Sequence, residues 1–250
     1  MTSFQIASDL HIEYNSDRNP NAMDLITPVA DVLILAGDIG SIYKREQLTS
    51  FLQQICPHFK AVLYIPGNNE YYMVNGIQPM DFDKLKSILR EIERSIPNLH
   101  VLDKNSVQIG DLCIAGCTLW SDVTCKLPKF IVRIHNMFTG LYKEKFDQDR
   151  IYIENMIKYC KNNKMKLMII THHPPTYKTL EGCKKRDKFK SLYASNLDYL
   201  MEHNSITAWI CGHVHKNFNF NINGCRVIGN QKGKPKDNID DYNKQFTISL

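Results

Sequence analysis

Five short polar clusters carry side chains able to hold a metal ion. They are Asp9-Leu10-His11, Gly37-Asp38-Ile39-Gly40, Gly67-Asn68-Asn69-Glu70, Thr171-His172-His173-Pro174-Pro175 and Gly212-His213-Val214-His215. Carboxylate oxygen, imidazole nitrogen and an amide oxygen together suit Mn²⁺, Zn²⁺ or iron, and the lack of a thiolate argues against a structural cysteine site. At an extended strand end, Asp-x-His and His-x-His put alternate side chains on one side, so both reach one ion. The glycines before Asp38, Asn68 and His213 let the backbone turn sharply. Taken singly, each cluster is weak. Gly-Asp and Gly-Asn-Asn-Glu are ordinary turns, and His173 beside Pro174 reads equally as a packed residue. All five in order, each close behind a strand, predict a two-metal site.

The strands are short runs rich in β-branched and aromatic residues: Phe4 to Ala7, Val32 to Ala36, Ala61 to Ile65, Leu167 to Ile170 and Ala208 to Cys211. Their continuous apolar character predicts burial on both faces. Leu112 to Leu119 reads as a further strand, and Asn217 to Ile222 with Arg226 to Ile228 as a hairpin turning at Asn223-Gly224. Between strands, Phe82, Leu85, Ile88, Leu89, Ile92 and Ile96 recur at helical steps, with Pro97 as the stop. Ile153, Met156, Ile157 and Cys160 suggest a second helix. Alternating strands and helices give an α/β class, and the hairpin tail adds a mixed sheet or a pair of sheets. In such sheets ligands gather beyond the carboxyl ends of the strands, where all five clusters fall. No repeat or composition break divides the chain, so residues 1–250 read as a single domain. Ser121 to Lys145 and Tyr177 to Lys190 do not read as scaffold and are candidate recognition loops.

Composition narrows the alternatives. With 250 residues, 43% hydrophobic and 23% charged, the chain is of ordinary globular make-up. No apolar run approaches the ~20 residues that cross a bilayer, and no signal peptide is visible, so a cytoplasmic, membrane-free protein is expected. The eight cysteines include no CxxC pair and read as reduced core residues. The net charge of +5 gathers in Lys184-Lys185-Arg186-Asp187-Lys188-Phe189-Lys190 and in Lys232, Lys234 and Lys236. Such runs are usually solvated surface, though a basic rim would steer an anionic substrate. The first cluster has little aromatic interleaving, so nucleic acid is an unlikely partner.

The five motifs resemble those of the calcineurin-like metallophosphoesterase superfamily, closest to its small soluble members: Asp-x-His, Gly-Asp, Gly-Asn-His-Asp/Glu, a lone His and Gly-His-x-His, spanning Asp9 to His215. The resemblance implies a sandwich of two mixed β-sheets flanked by helices. It also implies Asp9, His11 and His215 around one divalent ion, Asn68, His172 and His213 around a second, and Asp38 bridging them. Mn²⁺ is the expected metal, with iron or zinc as alternatives. The implied activity is hydrolysis of a phosphate ester by a metal-bound hydroxide, with a His beside the leaving group as general acid.

That His is Asn69 in this chain. An amide donates a hydrogen bond but hands over no proton at neutral pH. Reduced activity is therefore expected, from an engineered or a natural change; the intactness of every other motif residue favours the engineered one. The expected substrate is a phosphodiester, of nucleotide type, with a phosphomonoester as the alternative. A non-catalytic scaffold that binds a partner protein is the competing reading, though decay of several ligands would suit it better. Asn68, Asn69, His173, Tyr72 and Trp120 are candidate substrate contacts. Tyr14, Tyr71 and Tyr177 are further aromatics near the motifs or loops. Oligomeric state is not legible.

Overall fold

In the computed structural model, which describes residues 2–15, 19–182, 189–204 and 206–250, each predicted apolar run is a strand with both faces covered. Strands β1 (Ser3–Ala7), β2 (Val32–Leu35), β3 (Ala61–Tyr64) and β4 (Leu99–Val101) run parallel, and β11 (Thr247–Ser249) joins antiparallel to β1. The second sheet has the order β5-β6-β7-β8-β10-β9. These strands are β5 (Asn105–Ile109), β6 (Leu112–Cys117), β7 (Lys166–Thr171), β8 (Ala208–Ile210), β9 (Phe218–Ile222) and β10 (Cys225–Gly229). Its centre is parallel and its two edge strands are antiparallel, so both sheets are mixed.

The period-2 geometry of a strand divides each apolar run between two cores. Phe4, Ile6, Val32, Ile34 and Leu63 from the first sheet meet Ile114, Met168, Ile170 and Ile210 from the second, forming the layer between the sheets. The alternate residues, among them Leu33, Leu35, Val62, Tyr64, Ala115, Ile169 and Trp209, face the other way into a larger outer core. Helices α1 (Arg45–Ile55), α2 (Phe82–Arg94) and α3 (Thr139–Asn162) pack on that core, and loop residues such as Ile26, Ile39, Trp120 and Leu197 complete it. Helix α2 buries Leu85, Ile88, Leu89 and Ile92, the predicted stripe. It packs along β4, while α3 lies on β6 and β7.

One expectation changes. The stretch from Ser121 to Lys145 is only in part a loop, because α3 already begins at Thr139. Tyr142 and Phe146 are its first buried residues, and the lysines and acids between them mask the period in sequence. The part of the basic cluster from Lys184 to Lys188, like Cys183, lies outside the described residues. The other cysteines are free, and all but the half-buried Cys125 are buried. Among the described residues, no helix is long and apolar enough to cross a membrane.

Candidate dimetal centre

The carboxyl ends of β1, β2 and β3 meet those of β7 and β8 along one edge of the sandwich. There the predicted residues form two groups. Asp9, His11, Asp38 and His215 each offer a ligand atom within 4.8 Å of the others, and Asp38, His172 and His213 form a second such group. Asp38 belongs to both. Its Oδ2 lies 3.7 Å from His11 Nε2 and its Oδ1 lies 3.2 Å from His172 Nε2. Asn68 Oδ1 is 3.1 Å from His172 Nε2, which places the amide oxygen with the second group. Each group draws donors from both sheets.

The side chains do not reach these positions by strand alternation. Asp9, His11, Asp38, His213 and His215 all have left-handed backbone, with φ between 45° and 70°. Non-glycine residues pay roughly 1–3 kcal/mol for such conformations, which persist where the surroundings over-determine them. The motif glycines serve another purpose at two places. A Cβ on Gly67 would lie 2.6 Å from Asp38 N, and one on Gly212 would lie 2.5 Å from Asp9 Oδ2. These positions must be bare for the loops to close round the carboxylates.

The outer nitrogen of each imidazole is already engaged. His11 Nδ1 meets Glu13 Oε1 at 2.8 Å and His215 Nδ1 meets Asp237 Oδ2 at 2.5 Å. His172 Nδ1 faces Ala36 O at 2.9 Å, and His213 Nε2 faces Leu192 O at 3.1 Å. All four partners accept only, so each outer nitrogen carries the proton and each inner nitrogen of a neutral ring presents a lone pair. Those lone pairs converge: His11 Nε2 is 3.0 Å from His215 Nε2, and His213 Nδ1 is 3.3 Å from His172 Nε2. Lone pairs beside two buried carboxylates require a cation or extra protons between them, which is the fit expected of divalent ions.

Electrostatics say the same. Burial opposes charge on Asp38, yet His172, His11 and His213 outweigh it and hold the carboxyl well below its usual range. Asp9 is likewise lowered against burial, by His215 and His172. Burial would depress His172, but Asp38 lifts it to about 9, so without a metal this ring holds a proton where a dication would sit. Burial and the neighbouring rings push His213 well down.

Glu70, unassigned in the sequence reading, ties the loops together. Its carboxylate accepts from Asp38 N, Ile39 N, Gly67 N and Tyr64 Oη at 2.7–3.0 Å. Burial and Asp38 raise it to about 8. Glu13 and Asp237 were also missed; Asp237 is 22 residues from its histidine, too far for spacing to reveal. Removing such an outer partner costs metal affinity of ~10–100-fold. We expect Asp237→Asn to weaken the site containing His215 by that factor, and the other much less, in a two-site Mn²⁺ titration.

The candidate substrate contacts divide. Trp120 is 3% exposed, its ring packed on Tyr71, Phe82 and Tyr142, so it offers no face to a nucleobase. Tyr71 is buried as well. His173 is 1% exposed, lies 4.0 Å ring to ring from His213 and is held by Thr118 O and Tyr142 Oη; burial and His172 lower it to about 3. It supports His213 from behind and has no open face. Asn69 donates its amide to Asp38 Oδ2 and its backbone N–H to Asp38 Oδ1. Tyr72 is half-buried, with the Arg133 guanidinium carbon 5.6 Å from its ring centroid. Tyr14, 47% exposed, makes an edge-on contact with His11, ring centroids 5.8 Å apart. Lys190 Nζ lies 5.0 Å from the Tyr177 ring.

A protein of Acanthamoeba polyphaga mimivirus, itself described as uncharacterised, is 25% identical over 273 residues, covering 97% of this chain and 95% of that one. A phosphopantetheinyl hydrolase from Mycobacterium tuberculosis has the same fold, with a TM-score of 0.72 at 15% identity over 98% of this chain and 95% of that one. A dimetal phosphatase from Danio rerio superposes with a TM-score of 0.57 at 11% identity, over 91% and 86% of the two chains. The sequence profile of the calcineurin-like phosphoesterases matches residues 3–217, across all five motifs and both halves of the sandwich. The chain belongs to the calcineurin-like phosphoesterase family.

Proposed function

We propose that the protein is a binuclear metal-dependent phosphoesterase whose substrate is a phosphodiester of nucleotide type. The sharing of Asp38 between two donor groups at one sheet edge is the observation that carries this reading. Asp9, His11 and His215 would hold one ion and Asn68, His172 and His213 the other, with Asp38 shared by both groups. Mn²⁺ suits the mixed oxygen and nitrogen donors. Two divalent ions there supply Lewis acidity toward the phosphoryl oxygens and make a water nucleophilic near neutral pH.

The chain's own part is positioning. Glu13, Asp237, Ala36 O and Leu192 O fix the imidazole tautomers, and Glu70 fixes the two loops that carry Asp38 and Asn68. Asn69 holds Asp38 in place by two hydrogen bonds and donates no proton to the departing oxygen. Turnover of substrates that need this proton is therefore low. The whole of residues 1–250 acts as one catalytic unit, and a cytoplasmic location goes with this reading.

The test is Mn²⁺-loaded protein assayed on bis(4-nitrophenyl) phosphate, whose leaving group departs as a stable anion. Metal-dependent hydrolysis, abolished by chelation and restored by Mn²⁺, is the expected result. No turnover with Mn²⁺, Fe²⁺ or Zn²⁺ would falsify the catalytic reading and favour a partner-binding scaffold.

A further inference from the structure

Strand β6 carries no candidate ligand, yet its end touches the loops that carry the second donor group. Thr118, the residue after Cys117, is buried. Its hydroxyl donates at 2.8 Å to Pro66 O, directly before Gly67-Asn68. Its carbonyl accepts from His172 N at 3.2 Å and from His173 N at 3.0 Å. His172 O in turn accepts from Gly212 N at 2.9 Å, next to His213. One residue thus braces the backbone beside Asn68 and at His172 directly, and beside His213 through one further bond. The first group is held by other means. Asp9 N and His11 N donate to Gly37 O and Asp38 O at 2.9 and 3.0 Å, and His215 N donates to Gln231 Oε1 at 2.7 Å.

Thr118 is itself fastened from behind. Leu119 has left-handed backbone, with φ 49°, and a buried side chain. A branched residue keeps that conformation only where its surroundings over-determine it. Asp149 of α3, 1% exposed, supplies the hold: its Oδ2 accepts from Leu119 N at 2.8 Å. Its Oδ1 faces Lys104 Nζ at 3.2 Å. Lys104 also pairs with Asp103 at 3.2 Å, and Asp103 with Lys86 at 2.6 Å. Burial raises the Asp149 carboxyl to about 6 even with Lys104 beside it. Burying a carboxylate is costly unless it is paired, and the chemistry proposed above does not use this one.

We infer that Thr118 is a positioning residue for the donor group of Asn68, His172 and His213, and that Asp149 anchors it through Leu119. The inference rests on the dimetal reading above and deepens it. Asn68 and His172 arrive from different sheets, and Asn68 Oδ1 lies 3.1 Å from His172 Nε2. An amide oxygen has no net charge to draw it onto an ion, so its placement falls to the backbone beneath it. A hydroxyl on one loop and a carbonyl on the other set the spacing of the two ligands, and metal sites tolerate errors of only about 0.5 Å.

The experiment titrates Mn²⁺ into the metal-free full chain and into two single-site backgrounds, H215A and H172A. T118V keeps the side-chain volume and removes the bond to Pro66 O. In the H215A background, where the second group remains complete, T118V should lower Mn²⁺ affinity by roughly 10-fold, the low end for an outer partner. In the H172A background, where the first group remains, it should change nothing. T118S retains the hydroxyl and should retain the affinity, which a site merely sensitive to any change there would not do. D149N keeps an acceptor oxygen for Leu119 N and drops the charge facing Lys104. It should weaken the same site by a smaller factor, and it decides the matter if T118V does not fold. I153V, a truncation of a buried α3 residue one turn beyond Asp149, should lower the melting temperature of the metal-free chain without this selectivity. No loss in the H215A background, or equal losses in both, overturns the inference and leaves the dimetal centre standing. A wild-type chain that takes up no Mn²⁺ overturns the dimetal reading itself, and this inference with it.

Discussion

Asn69→His raises turnover on alkyl and ribose phosphodiesters by ~10²–10⁴-fold, the usual contribution of a positioned general acid, or about 3–5 kcal/mol of barrier. Elemental analysis of the same variant still finds two ions per chain, because the neighbouring Asn68, and not Asn69, is the candidate ligand. The gain depends on the leaving group. A nitrophenolate departs unaided, so activity on activated aryl esters rises little, and the histidine narrows the gap between the two classes. A steady-state comparison of kcat across leaving groups of graded basicity measures this slope directly. A variant with both metals and no gain on any alkyl ester would remove the proton-transfer account of Asn69. The amide's bond to Asp38 would then be its whole role.

Asp38→Asn has the larger effect on the metals. One carboxylate faces donors of both groups, so its loss weakens two sites at once. Metal affinity at both falls by more than the ~10–100-fold that an outer partner is worth. The buried rings also lose their counter-charge: His172, lifted to about 9 chiefly by Asp38 against its burial, no longer holds its proton so tightly. After dialysis against metal-free buffer, elemental analysis of D38N finds less than one Mn²⁺ per chain, and activity on the aryl diester drops with it. Retention of two ions at wild-type affinity would mean that Asp38 bridges nothing.

Much of this site was legible because ligand chemistry resists substitution and because strand ends are marked by abrupt changes from apolar to polar residues. Val32 to Leu35 announces β2, and Asp38 follows within a turn. The parallel runs fixed which ends would meet, so residues as far apart as Asp9 and His215 could be assigned to one place. Three things were not legible. The left-handed backbone at the ligands replaces strand alternation as the positioning device, and no residue pattern distinguishes the two. The accessibility of aromatics depends on tertiary packing: Trp120 and Tyr71 sit beside motif residues yet face the outer core, whereas Tyr14 stays half exposed against His11. The outer carboxylates come from scattered positions, Asp237 from a tail segment that carries no motif. The start of α3 was hidden as well, because an amphipathic helix rich in charge reads locally like a loop.

The pairing of the two sheets at the centre makes ion concentration a folding variable. Asp9, His11, Asp38 and Asn68 arrive on the first sheet, and His172, His213 and His215 on the second, so each ion held there would fasten one sheet to the other across the edge of the sandwich. An unfolded chain has no such arrangement, and binding free energy therefore adds to stability. Each ion contributes about 2.7 kcal/mol when its free concentration is 100 times its dissociation constant. That is comparable to the cost of holding a ligand residue or two in left-handed backbone, which the loops carry whether or not ions are bound. Metals held there would act as rivets as well as reagents, and a chain starved of them would lose heat resistance along with chemistry.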